Sequence, residues 1–103
     1  MGINQFGNET MHLEIIYWKL NKDGISLDDL NMHIDKENVL QWKKIKEIES
    51  KIWIENKNEG WWGAIIVWKN KKPSLSELPK NIPRTIIKRP PDIRLEFSIV
   101  EKI

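Results

Sequence analysis

The sequence predicts a single α+β domain built on one antiparallel sheet of four strands. Two observations carry this prediction: β-prone segments alternate between apolar and polar residues, and a stretch with helical spacing separates the first of them from the others. The chain has 103 residues, of which 40% are hydrophobic and 31% charged, as is typical of one folded domain. Residues 1–10 show no periodicity and are predicted to form a flexible tail, so the domain is expected to span residues 11–103.

The first half of the chain predicts a strand and then helix. The strand is expected at His12–Lys19, and a turn follows at residues 21–24. Ser26 is suited to cap a helix because acidic residues occupy the next turn. Asp35 is suited to cap a second helical stretch. The sequence leaves open whether residues 26–45 form one kinked helix or two.

Two further strands are predicted at residues 46–55 and 61–69, joined by a hairpin turn at residues 56–60. The second of these strands is apolar on both faces and is therefore expected in the middle of the sheet. Gly63 lies in the middle of that strand, which indicates a bulge or a close approach of another group.

The last connection, residues 70–92, contains all five prolines of the chain. Ser74 can cap a short helix at residues 75–78, and the remainder is expected to be irregular or extended. The final strand is predicted at residues 93–101. The complete order is the ferredoxin-like β-α-β-β-α-β arrangement, an antiparallel sheet with its helices on one face.

Alternation along the strands assigns the side chains to two faces of this sheet. The apolar side of the last strand, with Leu95 and Phe97, is expected to pack against the helices. The opposite face is expected to carry His12, Glu14, Trp18, Trp53, Trp62, Trp68, Arg94 and Glu96. Four tryptophans on one exposed face would promote aggregation, so a second copy of the chain is expected to cover them.

Residues 51–78, KIWIENKNEGWWGAIIVWKNKKPSLSEL, resemble the central hairpin of the dimeric α+β barrel proteins. These include the antibiotic-biosynthesis-monooxygenase-like proteins and other small bacterial monooxygenase-like proteins. The shared pattern is a strand ending in an acidic turn, a glycine-bearing strand ending in an aromatic residue, here Trp68, and a polar link to a helix. The resemblance implies a homodimer in which two sheets close a barrel, with a cavity on the sheet face opposite the helices. The proline-rich connection departs from the family, which has a longer helix there.

The resemblance implies a small-molecule-binding protein, and a cofactor-independent monooxygenase-like enzyme acting on an aromatic or carbonyl-bearing substrate is one form of this hypothesis. The expected catalytic residues are His12, as a general base, and Arg94, which could hold an anionic oxygen. The expected ligand-binding residues are Glu14, Trp18, Trp62, Trp68 and Glu96. The alternative is a non-catalytic homodimer whose barrel is filled by tryptophan packing and interfacial ion pairs.

Composition and motifs exclude several other classes of function. The chain has no cysteine, its two histidines lack metal-ligand spacing, and it contains no nucleotide or flavin motif, so neither a metal nor a cofactor is expected. Haem degradation is disfavoured because no histidine follows His33. A net charge of +2 does not provide the basic surface that nucleic-acid-binding proteins usually have. Binding of single-stranded nucleic acid on the sheet aromatics is therefore only the third alternative. Neither a membrane span nor a signal peptide is apparent, and a cytoplasmic location is expected.

Overall fold

The computed structural model describes residues 11–69, 72–79 and 82–103, which form a small α+β domain with a four-stranded antiparallel sheet. The predicted tail at residues 1–10 lies outside the described residues. The strands are β1 (His12–Lys19), β2 (Ile48–Asn56), β3 (Trp61–Trp68) and β4 (Ile93–Ser98). The helices are α1 (Leu27–Met32), α2 (Lys36–Lys43) and α3 (Ile82–Ile87), with a single 3-10 turn at Leu75–Glu77. Across these described ranges, no helix has the length and apolar character needed to cross a bilayer.

The region between β1 and β2 forms two separate helices, each with its own N-terminal cap. The Ser26 hydroxyl accepts a hydrogen bond from the Asp29 backbone N–H at 3.0 Å. The Asp35 carboxylate accepts one from the Asn38 backbone N–H at 2.8 Å. Because each cap satisfies a backbone donor that has no partner within its helix, both capping predictions are confirmed.

The connection between β3 and β4 contains more helix than its prolines suggest. The predicted helix at 75–78 is present as the 3-10 turn Leu75–Glu77. The prediction that the rest is irregular is wrong, because α3 spans Ile82–Ile87. Pro83 lies in the first turn of α3, where a missing backbone N–H costs no intrahelical hydrogen bond. Just after α3, Lys88 adopts a φ of 63°, a left-handed conformation often found where a helix ends.

The strands are arranged in the order β2-β3-β1-β4, and every neighbouring pair is antiparallel. The predicted central position of β3 is confirmed. Gly63 pairs with Tyr17 of β1, and a Cβ atom at Gly63 would lie only 2.5 Å from the Tyr17 Cβ atom. The glycine therefore marks a close approach of two strands. The register irregularity of the sheet lies elsewhere, between Ile48 and Ser50 of β2.

The structure reverses the predicted orientation of the sheet. The core lies between the sheet and the helices, and its buried members are Trp18, Leu20, Leu30, Trp62 and Ile87. The tryptophan-bearing face thus packs toward the helices. The face predicted to meet the helices is the outer face, where Leu95 is 47% and Phe97 is 51% exposed. Both faces carry large apolar side chains, and burial of several indoles removes more apolar surface from water than burial of Leu95 and Phe97 on the short edge strand β4 would.

Candidate functional site

A cavity of about 700 Å³ lies between the helix-facing side of the sheet and the elements that cover it. Five indoles line it: Trp18, Trp42, Trp53, Trp62 and Trp68. The charged side chains that line it are Glu14, Lys51, Lys72 and Arg94. His33 and Ser74 also line the cavity and are exposed, so the cavity opens to solvent. Its volume and its mixture of aromatic walls with few polar groups are typical of small-molecule sites.

Hydrogen bonds anchor three of the indoles at their polar edges. The Trp62 Nε1–H donates to Asn31 Oδ1 of α1 at 2.7 Å. The Trp18 Nε1–H donates to the Arg89 carbonyl oxygen at 2.9 Å, and the Trp68 Nε1–H donates to Glu14 Oε1 at 3.3 Å. A buried indole needs such a partner for its N–H group. These bonds therefore fix the orientation of the rings and give the cavity defined walls.

Glu14 forms a charged cluster with two cations at one wall of the cavity. Its side chain is only 1% exposed. Arg94 Nη1 donates to its Oε2 atom at 2.6 Å, and Lys72 Nζ lies 3.1 Å from the same atom. A buried carboxylate is stable only when it is paired and hydrogen-bonded. Among the described residues that line the cavity, two cations therefore face one carboxylate at this wall.

Lys51 reaches the cavity from β2, where it pairs with Ile66 of β3. Its Nζ atom lies 3.1 Å from the centre of the Trp42 ring and 5.0 Å from that of Trp53. Burial lowers the pKa of Lys51 to about 7, while the nearby charge of Glu14 acts in the opposite sense. The indole faces also favour the ammonium form. With a pKa of about 7, the amine and ammonium forms of Lys51 are both populated near neutral pH.

The structure brings five of the seven predicted site residues to the cavity: Glu14, Trp18, Trp62, Trp68 and Arg94. His12 is not among the lining residues. It is buried and stacks on Trp68, with 6.5 Å between the ring centres. Glu96 pairs with Glu14 across β1 and β4 but is exposed and does not line the cavity either.

This cavity lies on the helix-facing side of the sheet and not on the opposite face, where a cavity is expected. The sequence prediction also did not select Lys51, Lys72 or Trp42 as site residues, although all three line it. Alternation along β2 places Lys51 on the same strand face as Trp53, so the sequence contained a signal that could have identified Lys51. Lys72 and Trp42 come from a loop and a helix, and their positions depend on how these elements pack over the sheet.

The described residues contain no group of three or more His, Cys, Asp or Glu side chains placed to hold a metal ion. The chain matches no protein-family model, and no curated protein is significantly similar to it.

Proposed function

We propose that this protein binds a small planar aromatic molecule, bearing an acidic or carbonyl group, in the cavity between its sheet and its helices. The observation that carries the proposal is that five of the six tryptophans of the chain line one cavity of about 700 Å³. Indole faces stack favourably on planar aromatic molecules. If the tryptophans served only to fill a core, their rings would close on one another, so this open volume supports binding over the filled alternative.

The charge of the cavity supports the choice of polar group. Among the described lining residues of this wall, Lys72 and Arg94 carry two positive charges against the one negative charge of Glu14. Arg94 also has 45% of its side chain exposed, and its guanidinium presents five N–H donors in a fixed plane. A carboxylate or enolate oxygen on the ligand would therefore meet a complementary charge at this wall.

Oxidation of the bound molecule without a cofactor, as the resemblance to the monooxygenase-like proteins implies, is a second candidate function. The position of Arg94 at the cavity wall supports it, since this residue could stabilise an anionic oxygen of the substrate. Measurement of oxygen consumption with 1-naphthol as the substrate tests this candidate. We expect turnover in the wild type and its loss in Arg94→Gln, whereas no consumption above the protein-free rate would contradict it.

We also propose that the domain is ferredoxin-like and forms a homodimer through the outer faces of its sheets, as in a dimeric α+β barrel. The strand order β2-β3-β1-β4 supports the first part. The outer face supports the second part, because four aliphatic side chains lie side by side across all four strands: Ile52, Ile65, Ile15 and Leu95. A continuous apolar face of this kind is typical of a protein–protein interface.

The binding proposal is tested by calorimetric titration with 2-naphthoate, a planar aromatic carboxylate. We expect saturable binding to one site per chain and at least tenfold weaker binding of the cationic analogue 2-naphthylmethylammonium. Ala64 lines the cavity between Ile16 and Trp53, so Ala64→Phe fills the cavity and should abolish binding. Val67→Leu adds volume to the opposite face of the same strand and should leave binding unchanged. Equal binding by both variants would contradict the proposed site.

A further inference from the structure

We propose that the Lys51 amine forms a reversible imine with aldehydes and ketones that enter the cavity. Carbonyl compounds would then be held covalently by a residue that the fold places inside the binding site. This inference rests on the proposed function because both use the same cavity, but it requires only that a carbonyl carbon reach Lys51.

The geometry around Lys51 favours this role over Lys72, which also lines the cavity. The Lys51 Nζ atom lies over the Trp42 ring and near the Trp53 ring, so aromatic surface adjoins the amine on two sides. A planar carbonyl compound that stacks on Trp53, beside the amine, would have its reactive carbon near the nitrogen. Lys72, in contrast, lies 3.1 and 3.2 Å from the two Glu14 oxygens. Its nitrogen is thus engaged in an ion pair with Glu14.

The protonation state of Lys51 supports the same assignment. Only an unprotonated amine attacks a carbonyl carbon. With its pKa lowered by burial to about 7, roughly half of the Lys51 side chains are unprotonated at pH 7. An ordinary lysine, with a pKa near 10.4, is unprotonated in fewer than about one molecule in a thousand at that pH.

The reaction needs no oxidant, reductant or cofactor. The nitrogen lone pair of Lys51 forms a C–N bond with the carbonyl carbon as the C=O π bond breaks, and a proton moves from nitrogen to oxygen to give a carbinolamine. The C–O bond then breaks, a C=N bond forms, and the oxygen leaves as water with both protons of the original amine. Lys72 and Arg94 line the same cavity and favour the negative charge that develops on oxygen in the first step.

The test is reductive trapping with 2-naphthaldehyde and sodium cyanoborohydride at pH 7, followed by peptide mass mapping. Cyanoborohydride reduces an imine to a stable secondary amine and so records its position. We expect Lys51 to be labelled at least tenfold faster than any other lysine and Lys51→Met to lose this fast label. Lys57 is 70% exposed and lies in the turn after the same strand, so Lys57→Met is the matched control and should keep it.

A second measurement tests the inference in the wild type alone, without any substitution. In the wild type, the labelling rate at Lys51 should rise with a midpoint near pH 7, whereas exposed lysines should respond only at more alkaline pH. Labelling spread evenly over the lysines, or a Lys51 rate that rises only above about pH 9, would overturn the inference.

The result also separates this inference from the proposed function, because 2-naphthoate cannot form an imine. If 2-naphthoate binds while Lys51 is not trapped, the imine inference fails and the binding proposal stands. If Lys51 is trapped while 2-naphthoate does not bind, the carboxylate-binding proposal fails and the imine inference stands.

Discussion

At the scale of single residues, the cavity holds one buried charged group, Glu14, and one half-buried charged group, Lys51, which the fold stabilises in different ways. Glu14 is surrounded by hydrogen-bond donors from Trp68, Lys72 and Arg94. Lys51 lies against indole rings, which favour a cation less strongly than water or a paired carboxylate does. Lys51 therefore lowers the stability of the folded domain, as residues of functional sites commonly do.

Replacement of Lys51 by methionine should stabilise the domain at low pH. The folded-state pKa of Lys51, about 7, lies below its unfolded value, so the unfolded state binds more protons between about pH 7 and 10 and wild-type stability rises over that range. Below pH 7 the wild type carries the full cost of a buried ammonium, at most about 5 kcal/mol. We expect Lys51→Met to be more stable than wild type by a few kcal/mol at pH 6 and the difference to shrink towards pH 10.

Urea denaturation of both proteins at several pH values measures this difference. Using the difference between the two proteins removes the contributions of all groups that titrate equally in both. A stability difference that does not depend on pH would contradict the assignment of a lowered pKa to Lys51.

The sequence predicts some of these residue contacts and not others. The element order places β1 beside β4, and the Glu14–Arg94 pair follows from that neighbourhood. The same pairing suggests His12 and Glu96 equally well, yet neither lines the cavity. The sequence does not predict the contact of Lys51 with Trp42, because Trp42 of α2 lies over Lys51 only after the helices pack on the sheet.

At the scale of elements, the cavity walls depend on two connections that fasten short helices to the sheet. Helix α1 has six residues, too few to be stable alone. Its Asn31 accepts a hydrogen bond from Trp62 of β3 and donates one to Glu55 of β2 at 2.9 Å. These contacts join α1 to two neighbouring strands.

Substitution of Asn31 should show how far α1 depends on this contact. Asn31→Leu leaves the Trp62 N–H, on a side chain only 2% exposed, without its acceptor, which should cost about 1–3 kcal/mol. In a Glu55→Gln background, which removes the facing carboxylate, Asn31→Asp keeps an acceptor for Trp62 and should therefore cost less than Asn31→Leu in the same background. Thermal unfolding of both variants provides the comparison, and an Asp variant that is less stable than the Leu variant would contradict this role.

The second connection is a hydrogen-bonded cluster that holds the segment after α3 against the end of β1. Arg89 donates to both carboxylate oxygens of Asp23 at 3.0 Å, and to Asp92 at 2.9 Å. The Lys19 backbone N–H donates to Asp92 at 2.6 Å. The Arg89 hydrogen bonds lower the pKa of Asp23, and the Lys19 backbone hydrogen bond, with a further contribution from Arg89, lowers that of Asp92.

Loss of this cluster should lower the melting temperature. We expect Arg89→Gln to melt on the order of 5 °C below wild type at pH 7. Because the folded-state pKa values of both aspartates lie below their unfolded values, the stabilisation is complete above about pH 5 and is lost as the pH falls through the lowered values. The difference from wild type should therefore shrink in strong acid. Lys57→Gln removes a pair at 3.8 Å on an exposed turn and should change little. Equal effects of the two substitutions would contradict the role of Arg89.

The sequence predicts the elements that depend on neighbouring residues, but not the features that depend on packing between elements. The Ser26 and Asp35 caps and the position of β3 follow from residues that are near in sequence. Helix α3 is not predicted because a proline usually indicates the absence of a helix, whereas Pro83 lies in the first turn, where a helix tolerates proline. The choice of sheet face fails because both faces are apolar, so alternation defines two sets of side chains without saying which set the helices cover.

At the scale of the whole molecule, the outer sheet face determines the expected assembly. We predict a native mass near twice 12.3 kDa for the wild type by light scattering on a sizing column. Leu95→Glu places a charge in the apolar row and should give a monomer. Leu40 lies on α2 with nearly the same exposure, 48% against 47%, so Leu40→Glu is the matched control and should remain a dimer. A monomeric wild type, or a dimer that both substitutions leave intact, would contradict pairing through this face.

Binding of a small aromatic molecule in the tryptophan-lined cavity would change the environment of its indole rings, and the six indole N–H signals of the chain report on this change. Five tryptophans line the cavity, while Trp61 stacks on Tyr17 and does not. In a proton–nitrogen correlation spectrum of labelled wild type titrated with 2-naphthoate, we predict saturable shifts of the five cavity indoles with one common affinity and an unchanged Trp61 signal. Six unchanged signals, or a shift of the Trp61 signal alone, would contradict binding in this cavity.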